Sequence, residues 1–212
     1  MHSKKRIIIW AVIAAILLAG IISICCLLFN RPLHLTQPTF IYIDRDDTAD
    51  SVYVKLQRDL HGKHLAGFRM LSRFKSYDQH IHTGAYRFDA HTNTLTLFRR
   101  LSSGYQTPVK VTIPNVRTLA RLAHSLDRQL MADSTEIFTL MCDSSFCDSL
   151  GFTYETLPAL FIPNTYEVYW NTQAKDFFQR MKKEYNHFWN DERKAKAKAA
   201  GLTPVEVSTL AS

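Results

Sequence analysis

Thr39-Phe-Ile-Tyr-Ile-Asp44, then Asp46-Asp-Thr-Ala-Asp-Ser51, and further on Gly84-Ala-Tyr-Arg-Phe-Asp89 are the segments that decide the fold class. Residues 39–44 alternate β-branched and aromatic side chains, which predicts a strand. The Asp, Thr and Ser cluster after it supplies capping oxygens, and Val52, Leu56 and Leu60 recur at four-residue spacing, which predicts a helix. His61-Gly62-Lys63 breaks it. A second short helix is predicted over Leu65 to Phe74, with Phe68, Leu71 and Phe74 on one face, and residues 84–89 alternate again as a strand. A β-α-α-β unit of about fifty residues can pack two helices on a small antiparallel sheet, so the fold class is α+β.

Toward the N-terminus, residues 30–37 read as a linker and Ile7 to Phe29 as a run of 23 residues without a charge. A helix of that length spans about 34 Å, enough to cross a hydrocarbon core of about 30 Å. Lys4, Lys5 and Arg6 precede it, in a tail of residues 1–6, whereas Arg31 is the only basic residue close behind it. The positive-inside tendency puts the N-terminus in the cytoplasm and everything after Asn30 outside. A cleaved signal peptide has a shorter apolar region and a small-x-small site, and none follows here. Bulky Ile24 before Cys25 argues against lipidation of that cysteine.

Toward the C-terminus, Leu95 to Leu101 predicts a short helix and Val109-Lys-Val-Thr-Ile113 a strand ending at Pro114. A helical texture follows. Val116, Leu119, Ala120, Ala123, Leu126 and Leu130 form one amphipathic stripe, and Ser134 to Cys142 another helix. Leu157 to Trp170, with two prolines and four aromatics, predicts an ordered loop or short strand. After Asn171 or Thr172 as cap, Phe177, Met181, Tyr185 and Phe188 form a strong stripe, and Lys194, Lys196 and Lys198 sit on an alanine-rich tail ending at Gly201. Thr203, Pro204 and Glu206 then make a capping box, opening a helix whose apolar face (Val205, Leu210, Ala211) stops at Ser212 without a C-cap. That break predicts a continuation beyond Ser212. Residues 38–114 are expected to form the first subdomain with its following strand, and 115–212 an incomplete second domain.

Net charge is +7, of which Lys4, Lys5 and Arg6 supply +3. The remaining +4 suits an anionic polymer or lipid surface and is far too weak to argue for nucleic acid. About 180 residues beyond the apolar run, with 46% hydrophobic content overall, are enough for one sizeable core or two small ones. Cys142 and Cys147 could close a short disulfide loop outside the membrane or stand as two buried thiols; spacing does not decide. His61 with His64, His80 with His82, and His91 have spacings that zinc sites use, but they fall in predicted loops with no cysteine or consistent acidic ligand, so no metal is expected.

Three places carry a family resemblance: Thr83-Gly-Ala-Tyr-Arg-Phe88, Phe161-Ile-Pro-Asn-Thr-Tyr166 and Leu202-Thr-Pro-Val-Glu-Val-Ser-Thr-Leu-Ala-Ser212. In this order, behind an N-terminal anchor, the chain resembles the endolytic murein transglycosylase family, the YceG-like or MltG-type proteins. The resemblance implies a single-span bacterial inner-membrane enzyme with a LysM-like subdomain, its C-terminal part periplasmic. Its activity would be cutting nascent peptidoglycan strands between MurNAc and GlcNAc to leave 1,6-anhydro-MurNAc ends, so terminating elongation. It implies glycan strands and peptidoglycan synthases as partners and no cofactor. Asn164 stands where many relatives have Asp, which removes one candidate carboxylate.

Cleaving a glycosidic bond requires a carboxylic acid positioned on the departing oxygen. The resemblance places that glutamate about one helical turn after the Leu-Ala-Ser stretch, beyond Ser212, so no catalytic residue is nominated within 1–212 and the chain alone is expected to be inactive. Glu206 is accounted for by its capping box, and Glu167 by an exposed strand position. Glu155, Glu184 and Glu192 show no paired spacing. Through the resemblance, Asn164, Thr165, Tyr166 and Trp170 are candidate glycan-lining residues, amides and hydroxyls for sugar hydroxyls and rings for stacking; core packing is the competing role of the aromatics. A non-catalytic peptidoglycan-binding module and a divisome or synthase-interaction subunit remain as alternatives.

Overall fold

The computed structural model describes residues 2–30, 32–33, 35–60, 65–115 and 118–211, with backbone alone at 2–9, 11 and 25. The chain forms two units, residues 1–107 and 108–212.

The first unit begins with α1, His2–Phe29, whose segment Val12–Phe29 is long and apolar enough for a membrane span or a signal sequence. β1 (Thr39–Ile43) and β2 (Gly84–Phe88) pair antiparallel from Thr39↔Phe88 to Ile43↔Gly84. The strand period puts Ile41 and Ile43 on one face with Tyr86 and Phe88, all fully buried. α2 (Ala49–Asp59) starts at a capping box in which Thr48 Oγ1 accepts from Ser51 N and Ser51 Oγ accepts from Thr48 N. It buries Val52 and Leu56, and Leu60 follows at its end. α3 (Ala66–Phe74) buries Phe68, whereas Phe74 is 80% exposed. The expected shared face fails because six residues at 100° each leave Phe74 about 120° from Phe68.

After a 3-10 turn at Tyr77–Gln79 and β2, α4 (Thr94–Ser102) is capped by Asn93 and buries Leu97, Phe98 and Leu101. Phe68, Tyr77 and Phe98 pack with ring centroids 5.8 to 5.9 Å apart at the centre of this core. The segment read as a linker is folded onto it: Pro32 bridges Asn93, Leu33 N donates to Thr92 O, and Leu33 and Leu35 pack on the core. The helix break at His61–Lys63 lies outside the described residues.

In the second unit, β3 (Val109–Ile113) pairs antiparallel with β4 (Asn164–Val168), burying Val109, Val111, Ile113, Tyr166 and Val168. The sequence places β3 with the preceding subdomain, whereas its partner strand β4 lies in the second unit. α5 (Leu119–Asp127) is capped by Thr118 and shorter than the stripe suggests; Leu130 is buried beyond its end, and Val116 and Arg117 lie outside the described residues. α6 (Ser134–Cys142) runs over the residues expected. α7 (Ser144–Leu150), absent from the sequence reading, is capped by Asp143 and ends at Gly151, whose φ of 76° favours glycine.

A 3-10 turn spans Leu157–Leu160, and α8 (Ala174–Phe188) buries Phe177, Phe178, Met181 and Tyr185. Its N-cap position is Gln173 rather than Asn171 or Thr172, and the Thr172 hydroxyl donates instead to Tyr169 O. α9 (Asp191–Ala199) ends in a Schellman arrangement with Gly201 at φ 73° and Leu202 N donating to Ala197 O. α10 (Pro204–Leu210) opens on the predicted box, in which the Glu206 carboxylate accepts from Thr203 N and Glu206 N donates to Thr203 Oγ1.

Candidate functional site

A cleft of about 930 Å³ opens in the second unit. Its walls come from the start of α5, the segment Glu155–Pro163, the α8–α9 junction and α10. Each wall is placed by a local device. Thr118 caps α5 and presents Leu119 and Leu122. The buried ring of Phe161 meets Phe178 of α8 edge-on at 5.4 Å, fixing where Ile162 and Pro163 emerge. Tyr166 pins the same turn from behind, its hydroxyl donating to Ile162 O at 2.8 Å. α8 ends at Phe188–Trp189, and Asn190 caps α9, so the chain turns there and brings Arg193, Lys196 and Ala197 to the cleft. Arg193 is held by its guanidinium stacked 4.3 Å above Phe188 and by Nη1 donating to Phe188 O.

The lining is therefore mainly apolar, with a few polar and charged groups. Glu155, Arg193 and Lys196 are exposed, and Lys196 pairs with Glu192 at 2.6 Å. Trp189 is buried, and its indole Nε1–H has no partner among the described residues. A buried donor of that kind is costly unless something accepts from it. Ser208 and Thr209 line the α10 wall, with hydroxyls bonded back to Pro204 O and Val205 O.

The carboxylates near this cleft are poor general acids. A hydrogen bond from the Thr153 hydroxyl holds the Glu155 carboxyl below its usual range. The Thr203 backbone N–H, and then its hydroxyl, do the same to Glu206. A group that must donate a proton near neutral pH needs its pKa raised, the opposite direction. Glu167 is exposed opposite Lys110, and Glu184 pairs with Arg180 at 2.7 Å.

The candidate glycan-lining residues separate. Asn164 and Thr165 are exposed on β4 directly after Pro163; Asn164 Oδ1 accepts from Thr165 N, and Thr165 Oγ1 meets Thr112 Oγ1 at 3.0 Å. Tyr166 is buried and Trp170 half-buried. None of the four lines the cleft, which is instead met by Phe161, Ile162 and Pro163 of the same motif. Trp189 and Arg193 went unrecognised in the sequence, although Trp189-Asn190-Asp191-Glu192, a capping residue followed by two acids, signals a new helix start.

Cys142 and Cys147 are free: Cys142 is exposed at the end of α6, and Cys147 is buried in α7 with its thiol donating to Met141 O. The helix started by Asp143 turns the two sulfurs to different surroundings, and burial pushes the Cys147 thiol up. Among the described residues no group of three or more His, Cys, Asp or Glu side chains is placed to hold a metal ion; His61 and His64 lie outside them.

A comparison with curated proteins found no significant match. A crystal structure of a yceG-like protein from Listeria monocytogenes aligns with a TM-score of 0.45 at 16% identity, over 79% of this chain and 60% of that one. The chain thus spans about 60% of the length of that solved relative. The sequence profile of the YceG-like family matches residues 41–212, and the chain belongs to that family.

Proposed function

We propose that this chain is part of a membrane-anchored lytic endotransglycosylase of the MltG type, acting on nascent peptidoglycan between MurNAc and GlcNAc. The family match over residues 41–212 carries this reading. In it, α1 is an uncleaved anchor in the bacterial inner membrane with its N-terminus cytoplasmic. The β-α-α-β portion of the first unit is the LysM-like subdomain, and the second unit is the N-terminal part of the glycan-cutting domain.

The cleft supports the reading through its chemistry. The apolar walls, with the half-buried Phe188 ring among them, suit the faces of sugar rings. Arg193 and Lys196 offer positive charge to the lactyl and stem-peptide carboxylates. Asn164 and Thr165, next along the chain from the cleft wall, would bond sugar hydroxyls; Tyr166 acts as a positioning residue through Ile162.

The reaction needs one carboxylic acid. It protonates the glycosidic oxygen as the C1–O bond breaks, and as the carboxylate it then takes the proton from the sugar's own 6-hydroxyl as O6 bonds to C1, closing the 1,6-anhydro ring. By the family resemblance the acid is the glutamate expected about one helical turn after the Leu-Ala-Ser stretch; Glu155 and Glu206, whose carboxyls are held below their usual range, are not assigned to it. In cells the product would be a terminated strand, made beside a peptidoglycan synthase.

The chain in detergent should co-sediment with purified murein sacculi. Ala200→Trp, which puts an indole into the cleft from the exposed end of α9, should weaken retention without lowering the melting temperature. Equal retention of both proteins, or of neither, counts against the cleft as the glycan site.

A further inference from the structure

We infer that α3 lies in the outer interface of the bilayer, with Met70 and Phe74 at the boundary between anionic lipid headgroups and acyl chains; this rests on α1 being a membrane anchor. The observations concern how closely α3 joins the end of α1. A Cβ placed on Gly67 would meet Leu28 O at 2.5 Å and Phe29 Cδ1 at 3.1 Å, so α3 touches the last turn of α1 backbone to backbone. Val12–Phe29 has a length of about 27 Å as a helix, close to the hydrocarbon thickness, so Leu28 and Phe29 fall at its outer edge. The contact of α3 with α1 therefore sits at the level where acyl chains give way to headgroups.

Helical geometry then says which side chains share the side of α3 that meets α1. At 100° per residue, Phe74 is about 20° and Met70 about 60° from the direction of Gly67. Both are large, apolar and exposed, Phe74 at 80% and Met70 at 57%, on the side of α3 that meets the anchor. Phe74 is about 10 Å along the helix from the contact, and an α3 lying along the membrane surface keeps it at that level; this orientation is part of the inference. Lys75 and Arg73 flank it; Lys75 Nζ lies 5.8 Å from the Phe74 ring centre, and α3 has no acidic residue. An apolar strip edged by long basic side chains matches an anionic interface, where the stems stay in the apolar layer and the charges reach phosphate.

The unit has little freedom to swing away. Asn30 Oδ1 accepts from Asn93 Nδ2, Pro32 bridges Asn93, and Leu33 and Leu35 are packed on the core, so the segment leaving the anchor is folded onto the unit it carries.

The test is the depth of a nitroxide in the full-length chain, with native cysteines replaced (Cys147 by Ala), reconstituted in phosphatidylethanolamine–phosphatidylglycerol vesicles. Labels are placed through Phe74→Cys, Leu18→Cys in α1 and Val54→Cys on the exposed side of α2. The Phe74 label should show a ratio of oxygen to aqueous nickel-chelate accessibility severalfold above that of the Val54 label, approaching that of Leu18. A Phe74 ratio equal to that of Val54, with Leu18 deep in the bilayer, overturns the inference alone. A Leu18 label in water overturns the anchor reading and the inference with it. With the native cysteines kept, a benzophenone amino acid at position 74 should form lipid adducts on illumination and one at position 54 should not; adducts at neither position overturn the inference independently of the cysteine replacements.

Discussion

Thr203→Ala should loosen α10 without unfolding the second unit. The Thr203 hydroxyl accepts from Glu206 N at 3.2 Å, and the Glu206 carboxylate accepts from Thr203 N and Oγ1 at 2.7 and 2.8 Å. Removing an N-cap hydroxyl costs about 1 kcal/mol, close to a fivefold change in an equilibrium constant. Where that energy appears depends on burial. α10 has seven residues, none buried, and Leu210 is 75% exposed, so little tertiary packing opposes its opening. A helix this short is marginal by itself, and its cap is a large share of what holds it. Hydrogen exchange followed by mass spectrometry should therefore show about fivefold faster exchange in the amides after the first turn of α10. Peptides from α6 and α8 should keep their protection, and the melting temperature should stay the same. Unchanged α10 exchange, or a loss spread evenly over the second unit, would refute the claim that the box holds this wall of the cleft locally.

Phe178→Ala should destabilise the second unit by about 4 kcal/mol in urea unfolding, because a fully buried ring leaves a cavity and loses edge-on contacts to Phe146 and Phe161. Phe146→Ala, at a half-buried position, should cost clearly less. Lys55→Met should cost the first unit about 2 kcal/mol, since it strips Asp47, with a side chain only 6% exposed, of a charged donor at 2.5 Å. Burial alone would raise the Asp47 pKa, but hydrogen bonds from Lys55, Ser51 and Asp44 N outweigh it and hold the carboxyl below its ordinary range. That lowered value makes its stabilisation complete above the ordinary aspartate pKa and lost as pH falls through the folded value. Asp47→Asn should accordingly flatten the acid limb of the first unit's stability profile, read by circular dichroism. Gly67→Val should cost about 1–3 kcal/mol by forcing α3 away from the Leu28 carbonyl, measured as accelerated hydrogen exchange in α3.

The elements legible in the sequence are those whose signals are local. Val52, Leu56 and Leu60 set α2 by period, Ile41 and Ile43 set β1 by alternation, and Thr203 with Glu206 set the start of α10 by spacing. α7 escaped because Asp143, Ser144, Ser145 and Asp148 have the composition of a turn, while its buried pair, Cys147 and Leu150, includes a cysteine more readily read as redox chemistry than as apolar packing. The break between α8 and α9 is marked only by Asn190 and the two acids after it, between the Phe177–Phe188 stripe and an alanine-rich segment that continues it on sequence. The Phe161–Tyr166 motif was visible, but which of its residues face the cleft was not. Tyr166 turns inward because it pairs with Val111 across the sheet, a contact 55 positions away in sequence. The cleft itself draws on four separated segments, so only tertiary packing could reveal Trp189 and Arg193 as its neighbours.

The fate of a water oxygen tests the proposed lytic cleavage. The product of the complete coding sequence should be incubated with uncrosslinked peptidoglycan strands in water enriched in oxygen-18, and the new ends examined by mass spectrometry. Lytic cleavage should give 1,6-anhydro-MurNAc ends without the heavy isotope, abolished when the glutamate that the family resemblance places after the Leu-Ala-Ser stretch is replaced by glutamine. Reducing ends carrying oxygen-18 would instead mean hydrolysis, and intact strands would mean no cleavage; either result contradicts it.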